Sequence, residues 1–447
     1  MPNKENWEIL SVEEKYQRRM ESFINPDIEF VNKEAEEKYK KRAQRYRDAI
    51  ELKKPDRVPI SPNIGFYPAQ YAGITAEEAM YDYDKMSKAW KKFNNDFDFD
   101  YLTPCTGVGS GPLLTKLDLQ LYKWPRHGTK PDSPFQCIEK EYMKAHEYDE
   151  LIEDPSGYFM RKYFPRIFGS LTSWTKLPVF PTFNELPFVC AGMIPIGMPD
   201  VQESFRKFME AGMEAAKWIK VAGKTNRDNI ATYGLPSISG GYTKAPFDIL
   251  GDTLRGTMKI VLDMFRQPEK IFKAMDVLVP MAIKMGINAC DGSDNPFVKI
   301  PLHKGEDSFM SREQFAKFYW PTLKKVILGL TEEGCIPCLF VEGSYNKRLD
   351  FLTDPDLPKG KIYWYFDKTD IIEVKKHLTG KSSFGGNIPA SLMKTGKPDE
   401  VEEHVRTLID KVAGDGGYIL TTGASIDNAE PENITAMIAA AKRYGKY

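Results

Sequence analysis

The stretch GCIPCLFVEG, residues 334–343, decides the fold. An apolar run, residues 336–341, begins just after a glycine and stops at an acid followed by another glycine, which is typical of a buried strand. Because side chains alternate along a strand, Cys338, Phe340 and Glu342 share one face. A carboxylate directed into a packed helix layer would be very costly. We therefore expect Glu342 to project into a polar mouth, and it is the first candidate for chemistry.

The last third of the sequence repeats a strand–loop–helix rhythm around this stretch. Four more strand-like segments precede helical ones, namely FVKIPLH at 297–303, KIYWYFD at 361–367, SSFGGNIP at 382–389 and YILTTG at 418–423. Such alternation predicts a parallel sheet of the α/β class. An open doubly wound sheet is one arrangement. A closed (β/α)8 TIM barrel fits better, because the rhythm continues without a dinucleotide-binding fingerprint.

The chain divides into two predicted regions. Residues 1–54 are highly charged, and KEAEEKYKKRAQRYRDAIELKK at 33–54 predicts an exposed helix with Glu/Lys pairs. The helix breaks at Lys54-Pro55-Asp56-Arg57. We therefore predict an N-terminal helical extension over 1–54 and the barrel over 55–447.

Charge and hydropathy exclude several classes of partner. The chain has 62 basic and 63 acidic residues and a net charge of −1, which gives no electrostatic reason to expect nucleic acid. The start of the sequence is polar and charged, unlike a secretory signal. No apolar run approaches the roughly 20 residues that span a bilayer. These features predict a soluble, cytoplasmic protein without a membrane partner.

Two of the six cysteines form a Cys335-x-x-Cys338 pattern, which is found in redox pairs and in zinc sites. On a strand, however, these two thiols point to opposite faces, and no second CxxC follows. Two buried structural thiols are the better interpretation.

Polar residues end each of the late strands, and in a barrel these ends converge on the face where active sites lie. They are His303, Glu306, Asp307, Glu342, Asp367, Asn387 and Thr422. His303 closes an apolar strand beside an acid pair, and it is either functional or orients a loop. Glu342 is either functional or a structural partner of Arg348. The charge of Asp367 could orient a basic group, and Asn387 offers a donor and an acceptor.

Several segments together resemble the uroporphyrinogen decarboxylase superfamily, most closely its corrinoid-dependent methyltransferase branch. They are KPDRVPISP, GITAEEAM, SREQFAKFYWPTLKKVI, the strand ending FVEG, FGGNIPASLMKTGKPDEVEEHVRTLI and GGYILTTGASIDNAEPENITAMIAAAKRYG. The similarity runs from about residue 40 to the C-terminus and implies a (β/α)8 barrel.

The resemblance also shows departures that bear on the reaction. The decarboxylase needs arginines for its many-carboxylate substrate, and the matching segment ISPNIGFYPAQYAG has none. Thiol-methylating relatives bind zinc through His-x-Cys and a late Cys. Here Phe340 and Glu342 replace the first pair, and GASID carries no Cys. A harder site of Glu342 and His303 could bind a metal, with zinc as the candidate, or act as an acid.

The resemblance implies a methyltransferase. It would move a methyl group from a small methylated substrate, such as a methoxylated aromatic ether or a methylamine-like compound, to the cobalt of a separate corrinoid protein. Glu342 or His303 would be the catalytic acid or metal ligand. Predicted substrate-binding residues are Tyr363, Tyr365, Asp367, Asn387 and Asp307. Glycine-rich loops at 107–111 and 239–241 would keep the mouth broad enough for the corrinoid domain.

Two other functions stay open. One is a decarboxylase or another lyase acting on a small or tetrapyrrole carboxylate. The other is a non-catalytic corrinoid-binding partner. A homodimer is expected from the family analogy.

Overall fold

The computed structural model describes residues 6–447. Its α-helices are α1 Val12–Ile24, α2 Lys33–Ile50, α3 Tyr67–Tyr71, α4 Ala76–Tyr81, α5 Tyr83–Asp96, α6 Gly111–Leu117, α7 Tyr148–Glu153, α8 Pro155–Tyr158, α9 Phe164–Ile167, α10 Leu186–Met193, α11 Pro199–Tyr233, α12 Pro246–Asp248, α13 Thr257–Arg266, α14 Pro268–Ser293, α15 Arg312–Gln314, α16 Trp320–Glu332, α17 Ile371–Leu378, α18 Ala390–Thr395, α19 Pro398–Val412 and α20 Pro431–Tyr444. Wider π-helical turns lie at Phe159–Tyr163, Ile249–Arg255 and Phe315–Tyr319.

The strands form two sheets. They are β1 Tyr122–Pro125, β2 Gly128–Thr129, β3 Gln136–Cys137, β4 Gly241–Tyr242, β5 Phe297–Leu302, β6 Ile336–Val341, β7 Tyr363–Phe366, β8 Ser383–Gly385 and β9 Tyr418–Ile419. The first three form a small sheet of order β2-β1-β3. The other six form a parallel sheet in which each strand pairs with the next along the chain, from β4 to β9.

Two short segments, 58–61 and 100–102, lie between the outer edges of the larger sheet. The three connecting bonds run from the Ser61 amide to the Leu420 carbonyl (2.9 Å), from Asp100 to Ile60 (3.1 Å) and from Leu102 to Pro236 (2.9 Å), just before β4. Single backbone hydrogen bonds thus link the two segments to each other and to residues that flank the six-stranded parallel sheet. These contacts are compatible with the predicted α/β barrel.

Helices such as α16 cover the larger sheet with an apolar stripe. In α16, Leu323, Val326, Ile327 and Leu330 recur at helical spacing and are all completely buried. The strands themselves are mainly apolar, as expected for a sheet that helices cover. The predicted strand 336–341 is confirmed with the same limits as β6.

The helix predicted over 33–54 is present as α2, but it is not simply exposed. One face buries Tyr39, Ala43 and Tyr46, while the outer face carries the predicted Glu/Lys pairs. The high charge of the sequence hid this amphipathic pattern. The boundary at residue 54 stays a prediction.

Cys335 and Cys338 are buried free thiols, as predicted. Within residues 6–447, no helix combines the length and the apolar character needed to cross a bilayer.

Candidate functional site

The two residues predicted to be catalytic lie side by side at the carboxyl ends of β5 and β6. Nε2 of His303 is 3.5 Å from Oε1 of Glu342, and Nδ1 of His303 is 2.6 Å from Oδ2 of Asp252. The imidazole therefore lies between two carboxylates. The side chain of Glu342 is 43% exposed, so the prediction that it projects into a polar mouth is confirmed.

The two carboxylates determine the charge of His303. Burial by itself lowers the pKa of His303, but the hydrogen bonds to Asp252 and Glu342 outweigh burial and raise the pKa to about 10. The ring is therefore an imidazolium at neutral pH, with a proton on each nitrogen.

Asp252 is a site residue that the sequence reasoning missed. It lies in the π-helical turn Ile249–Arg255, and its carboxylate is 2.8 Å from Nζ of Lys244 and 3.3 Å from Nζ of Lys304. Burial raises the pKa of Asp252, but His303 and Lys244 hold it well below its usual range. Asp252 follows no apolar strand signal in the sequence, because β4 is only two residues long.

A second aspartate, Asp248, holds this part of the mouth together from below. It is completely buried and accepts hydrogen bonds from the amides of His303 (3.1 Å) and Lys304 (2.9 Å) and from the Tyr319 hydroxyl (2.6 Å). Burial and the nearby charge of Asp252 raise the pKa of Asp248 to about 6. Asp248 thus fixes the backbone from which His303 projects.

Asp307 lies in the same group of loops but bonds to protein groups. Its carboxylate is 3.1 Å from Nε of Arg348 and accepts hydrogen bonds from the hydroxyl of Ser344 and the amide of Lys347. The suggestion that Glu342 pairs with Arg348 is therefore wrong, because Asp307 takes that position. Asp307 orders the loop that follows Glu342.

Asp367 and Asn387 meet at the ends of β7 and β8. The side-chain amide of Asn387 donates to the carbonyls of Asp367 (3.1 Å) and Thr369 (2.7 Å), and the Asp367 carboxylate accepts from the amide of Gly343 at 3.3 Å. Both residues thus tie neighbouring loops together at the mouth. Substrate binding by them remains a prediction.

Tyr363 and Tyr365, both on β7, form an aromatic wall on the inner face of the larger sheet. Their rings stack at 5.4 Å, and Phe340 stacks on Tyr365 at 4.8 Å. Both tyrosines line a cavity of about 110 Å³. Its other lining residues are Ser61, Pro62, Asn63, Ile64, Tyr101, Leu102, Pro104, Ser237, Ile238, Ser239, Tyr242, Lys299 and Thr421.

Lys299 is the second residue that the sequence reasoning missed. It shares the inward face of β5 with Pro301 and His303 and lines the aromatic cavity, where its Nζ is 4.9 Å from the ring centre of Tyr365. Burial lowers the pKa of Lys299. Within residues 6–447, Nζ has no hydrogen-bond or ion-pair partner. A single charge at an inward position of the apolar run FVKIPL was the available signal.

The cavity adjoins a wider cleft of about 740 Å³ and shares six lining residues with it, namely Asn63, Ile64, Pro104, Ser237, Ser239 and Tyr242. Gly107, Gly240 and Gly241 border this cleft, so both predicted glycine-rich loops lie at the mouth. His303 and Glu342 do not line the aromatic cavity itself. They lie one step further along the same strands, with Glu342 two residues after Phe340.

Glu342 and His303, the two residues predicted to hold a metal ion, supply few ligands. In the described residues no group of three or more His, Cys, Asp or Glu side chains is arranged to hold a metal ion. Both nitrogens of His303 face carboxylates, while catalytic zinc takes three protein ligands. These residues therefore do not fit zinc, and no step below uses a metal held by this chain.

Comparisons with known proteins agree with the predicted family. Residues 235–444 match the model of the uroporphyrinogen decarboxylase (URO-D) family. A methyltransferase from Methanosarcina mazei is structurally similar, with a TM-score of 0.57 and 14% identity over 90% of this chain and 98% of that chain. No curated protein sequence matches the chain.

Proposed function

Because the chain belongs to the uroporphyrinogen decarboxylase superfamily, we propose that it is a methyltransferase. It moves a methyl group from a methoxylated aromatic ether to the cobalt of a corrinoid protein. The observation that carries this proposal is the position of the His303 ring, which lies between two carboxylates near an aromatic cavity. The methyltransferase from Methanosarcina mazei supports it through a similar fold.

The chemistry requires a proton donor. The bond between the methyl carbon and the ether oxygen breaks, and its electron pair stays on the oxygen. The reduced corrinoid, a second substrate, supplies the nucleophile that takes the methyl group. The oxygen then needs a proton, which His303 donates from Nε2.

The pKa of His303 suits an aromatic leaving group. A phenol has a pKa of about 10, the value for the tyrosine side chain. His303 has a pKa of about 10 as well, so transfer of its proton to a phenolate is close to balanced in free energy. An alkoxide leaving group would not be matched in this way.

Two neighbours prepare His303 for this step. Asp252 fixes the ring by accepting a hydrogen bond from the Nδ1–H group, and His303 and Lys244 together keep Asp252 ionised. Glu342, across 3.5 Å, stabilises the positive charge without closing access to Nε2. The stacked rings of Phe340 and Tyr365 offer an apolar surface against which the substrate ring can pack.

A decarboxylase acting on a small aromatic carboxylate is the second candidate. The unpaired amine of Lys299 favours it, because an ammonium group in an apolar cavity can pair with a carboxylate. This alternative predicts release of carbon dioxide without a corrinoid.

The test combines purified protein, cob(I)alamin and a panel of methoxylated benzenes. We expect methylcobalamin and the free phenol in equal amounts. His303→Gln should remove the activity, while His377→Gln, a matched change on the outer helix α17, should not. Carbon dioxide release without methylcobalamin would favour the decarboxylase. A uniformly negative panel would contradict the proposal and leave the non-catalytic corrinoid-binding partner.

The cytoplasmic location and the homodimer stay predictions. Cell fractionation and light scattering of the purified protein test them.

A further inference from the structure

Three hydrogen-bond donors without acceptors line the aromatic cavity. The amine of Lys299 and the hydroxyls of Tyr363 and Tyr365 have no hydrogen-bond partner within residues 6–447. No acidic residue lines this cavity. Three donors without an acceptor, one of them cationic when protonated, match the needs of an anionic group.

Placing the amine of Lys299 in this cavity also costs free energy. Burial disfavours the charged form of Lys299 and lowers its pKa, and the contact with the Tyr365 ring offsets only part of that cost. A ligand carboxylate would restore the missing partner. Methionine or leucine would pack at this position without such a cost, so packing alone does not explain the lysine.

We propose that Lys299, with the hydroxyls of Tyr363 and Tyr365, binds the carboxylate of an aromatic acid. The inference rests on the proposed function, and it narrows the substrate to a methoxylated aromatic carboxylate.

The spacing along β5 supports this substrate class. Nζ of Lys299 lies over the ring of Tyr365. In the sheet, Tyr365 of β7 lies beside Phe340 of β6, and Phe340 lies beside Pro301 of β5. His303 lies two residues beyond Pro301, which is about 7 Å along a strand. A benzene ring with one substituent at each end covers such a distance. The carboxylate would lie at Lys299 and the methyl ether oxygen beside His303.

The stacked aromatic side chains fit the middle of such a molecule. Tyr363, Tyr365 and Phe340 form one stack between the two polar ends, with neighbouring rings within 18° of parallel. A planar substrate ring can pack against the edges of this stack. The wider cleft provides the entrance.

Binding can be tested separately from turnover. Isothermal titration calorimetry of the full chain would compare benzoate with benzamide, a neutral compound of nearly the same shape. We expect benzoate to bind at least about tenfold more tightly, since a charge-assisted bond replaces a neutral one. Lys299→Met should abolish the preference, and Tyr365→Phe should reduce it.

Two controls make the result specific. Lys325→Met, on the outer surface of α16, should keep the preference for benzoate. Thermal unfolding should show that Lys299→Met is at least as stable as the wild type, because it removes an unpaired buried amine. Equal affinity for benzoate and benzamide in the wild type would overturn the inference, as would an unchanged preference in Lys299→Met.

The design also separates this inference from the proposed function. His303→Gln should still prefer benzoate, because His303 lies at the other end of the substrate. Benzoate binding without any methyl transfer would count against the methyltransferase alone. Methyl transfer from neutral ethers without a preference for benzoate would count against the carboxylate site alone.

Discussion

Nε2 of His303 and Oε1 of Glu342 lie 3.5 Å apart, at the outer limit of a hydrogen bond. The opposite nitrogen makes a much shorter contact of 2.6 Å with Asp252. The ring is therefore held firmly on one side and loosely on the other. A substrate oxygen can replace Glu342 as the acceptor at Nε2 while Asp252 keeps the ring in place. This asymmetry is what the proposed role of His303 as a proton donor requires.

The pH dependence of methyl transfer should follow His303. The donor must be protonated, so the rate should be constant near neutral pH and fall as pH rises through about 10. Glu342→Gln removes one of the charges that raise the pKa of His303, so its alkaline limb should move to lower pH. Rate measurements from pH 7 to 11 on both proteins check this. Identical limbs would show that Glu342 does not act on His303.

Asp252→Asn should have the larger effect on the same profile. The carboxylate of Asp252 is the stronger of the two hydrogen-bond partners that raise the pKa of His303. Without it the pKa should fall toward the ordinary value of about 6.5, and activity at pH 8 should drop roughly 30-fold, because only about 3% of such a donor stays protonated at that pH. Lowering the pH should restore part of that activity. An NMR titration of the histidine ring measures the shift directly, and an unmoved pKa would contradict the assignment.

The ion pair of His303 with Asp252 should make the free energy of unfolding depend on pH. The pKa of His303 is raised in the folded protein, so its contribution is complete below the unfolded value of about 6.5 and is lost as pH rises through about 10. The wild type should therefore lose more stability between pH 7 and pH 10 than His303→Gln. Urea denaturation at several pH values measures the difference. Parallel curves for the two proteins would contradict it.

The sequence predicted the parallel sheet because its strong signals are local. The run before Glu342 and the aromatic run before Asp367 each lie on one continuous strand, and both strands form where expected. The segments near residues 60 and 101 make only a few backbone hydrogen bonds each, so their place beside the sheet depends on contacts between residues far apart in the chain. Periodicity within a short window cannot report such contacts.

Only part of the candidate site was predicted from the sequence. Glu342 and His303 were identifiable because each ends an apolar strand, where a charge is unexpected. Asp252 lies in a π-helical turn after a two-residue strand, and its role depends on folding against His303. Lys299 gave a signal, a charge inside an apolar run, but its significance depends on knowing that the inward face encloses a cavity.

A separate ion network, centred on Asp100, should stabilise the packing of α2 against the chain near residues 57 and 100. Asp100 is completely buried and lies 2.6 Å from Arg45 on α2 and 2.6 Å from Arg57. Asp100→Asn should lower the free energy of unfolding by about 3–5 kcal/mol, because two largely buried guanidinium groups lose their shared partner. Asp98→Asn is the matched control. Its carboxylate is 59% exposed, so it should cost about 1 kcal/mol or less. Equal losses in urea denaturation would contradict the structural role of Asp100.

The chemistry of His303 also predicts how the protein treats metal ions. A zinc ligand must offer a nitrogen lone pair, whereas the imidazolium of His303 has a proton on each nitrogen at neutral pH. Zinc binding at Glu342 and His303 would therefore have to displace a proton that two carboxylates stabilise. We expect elemental analysis of the purified protein to find well under one zinc per chain, and treatment with a chelator to leave the rate of methyl transfer unchanged. One equivalent of zinc that disappears in His303→Gln would instead establish the metal site and make His303 a ligand rather than a proton donor.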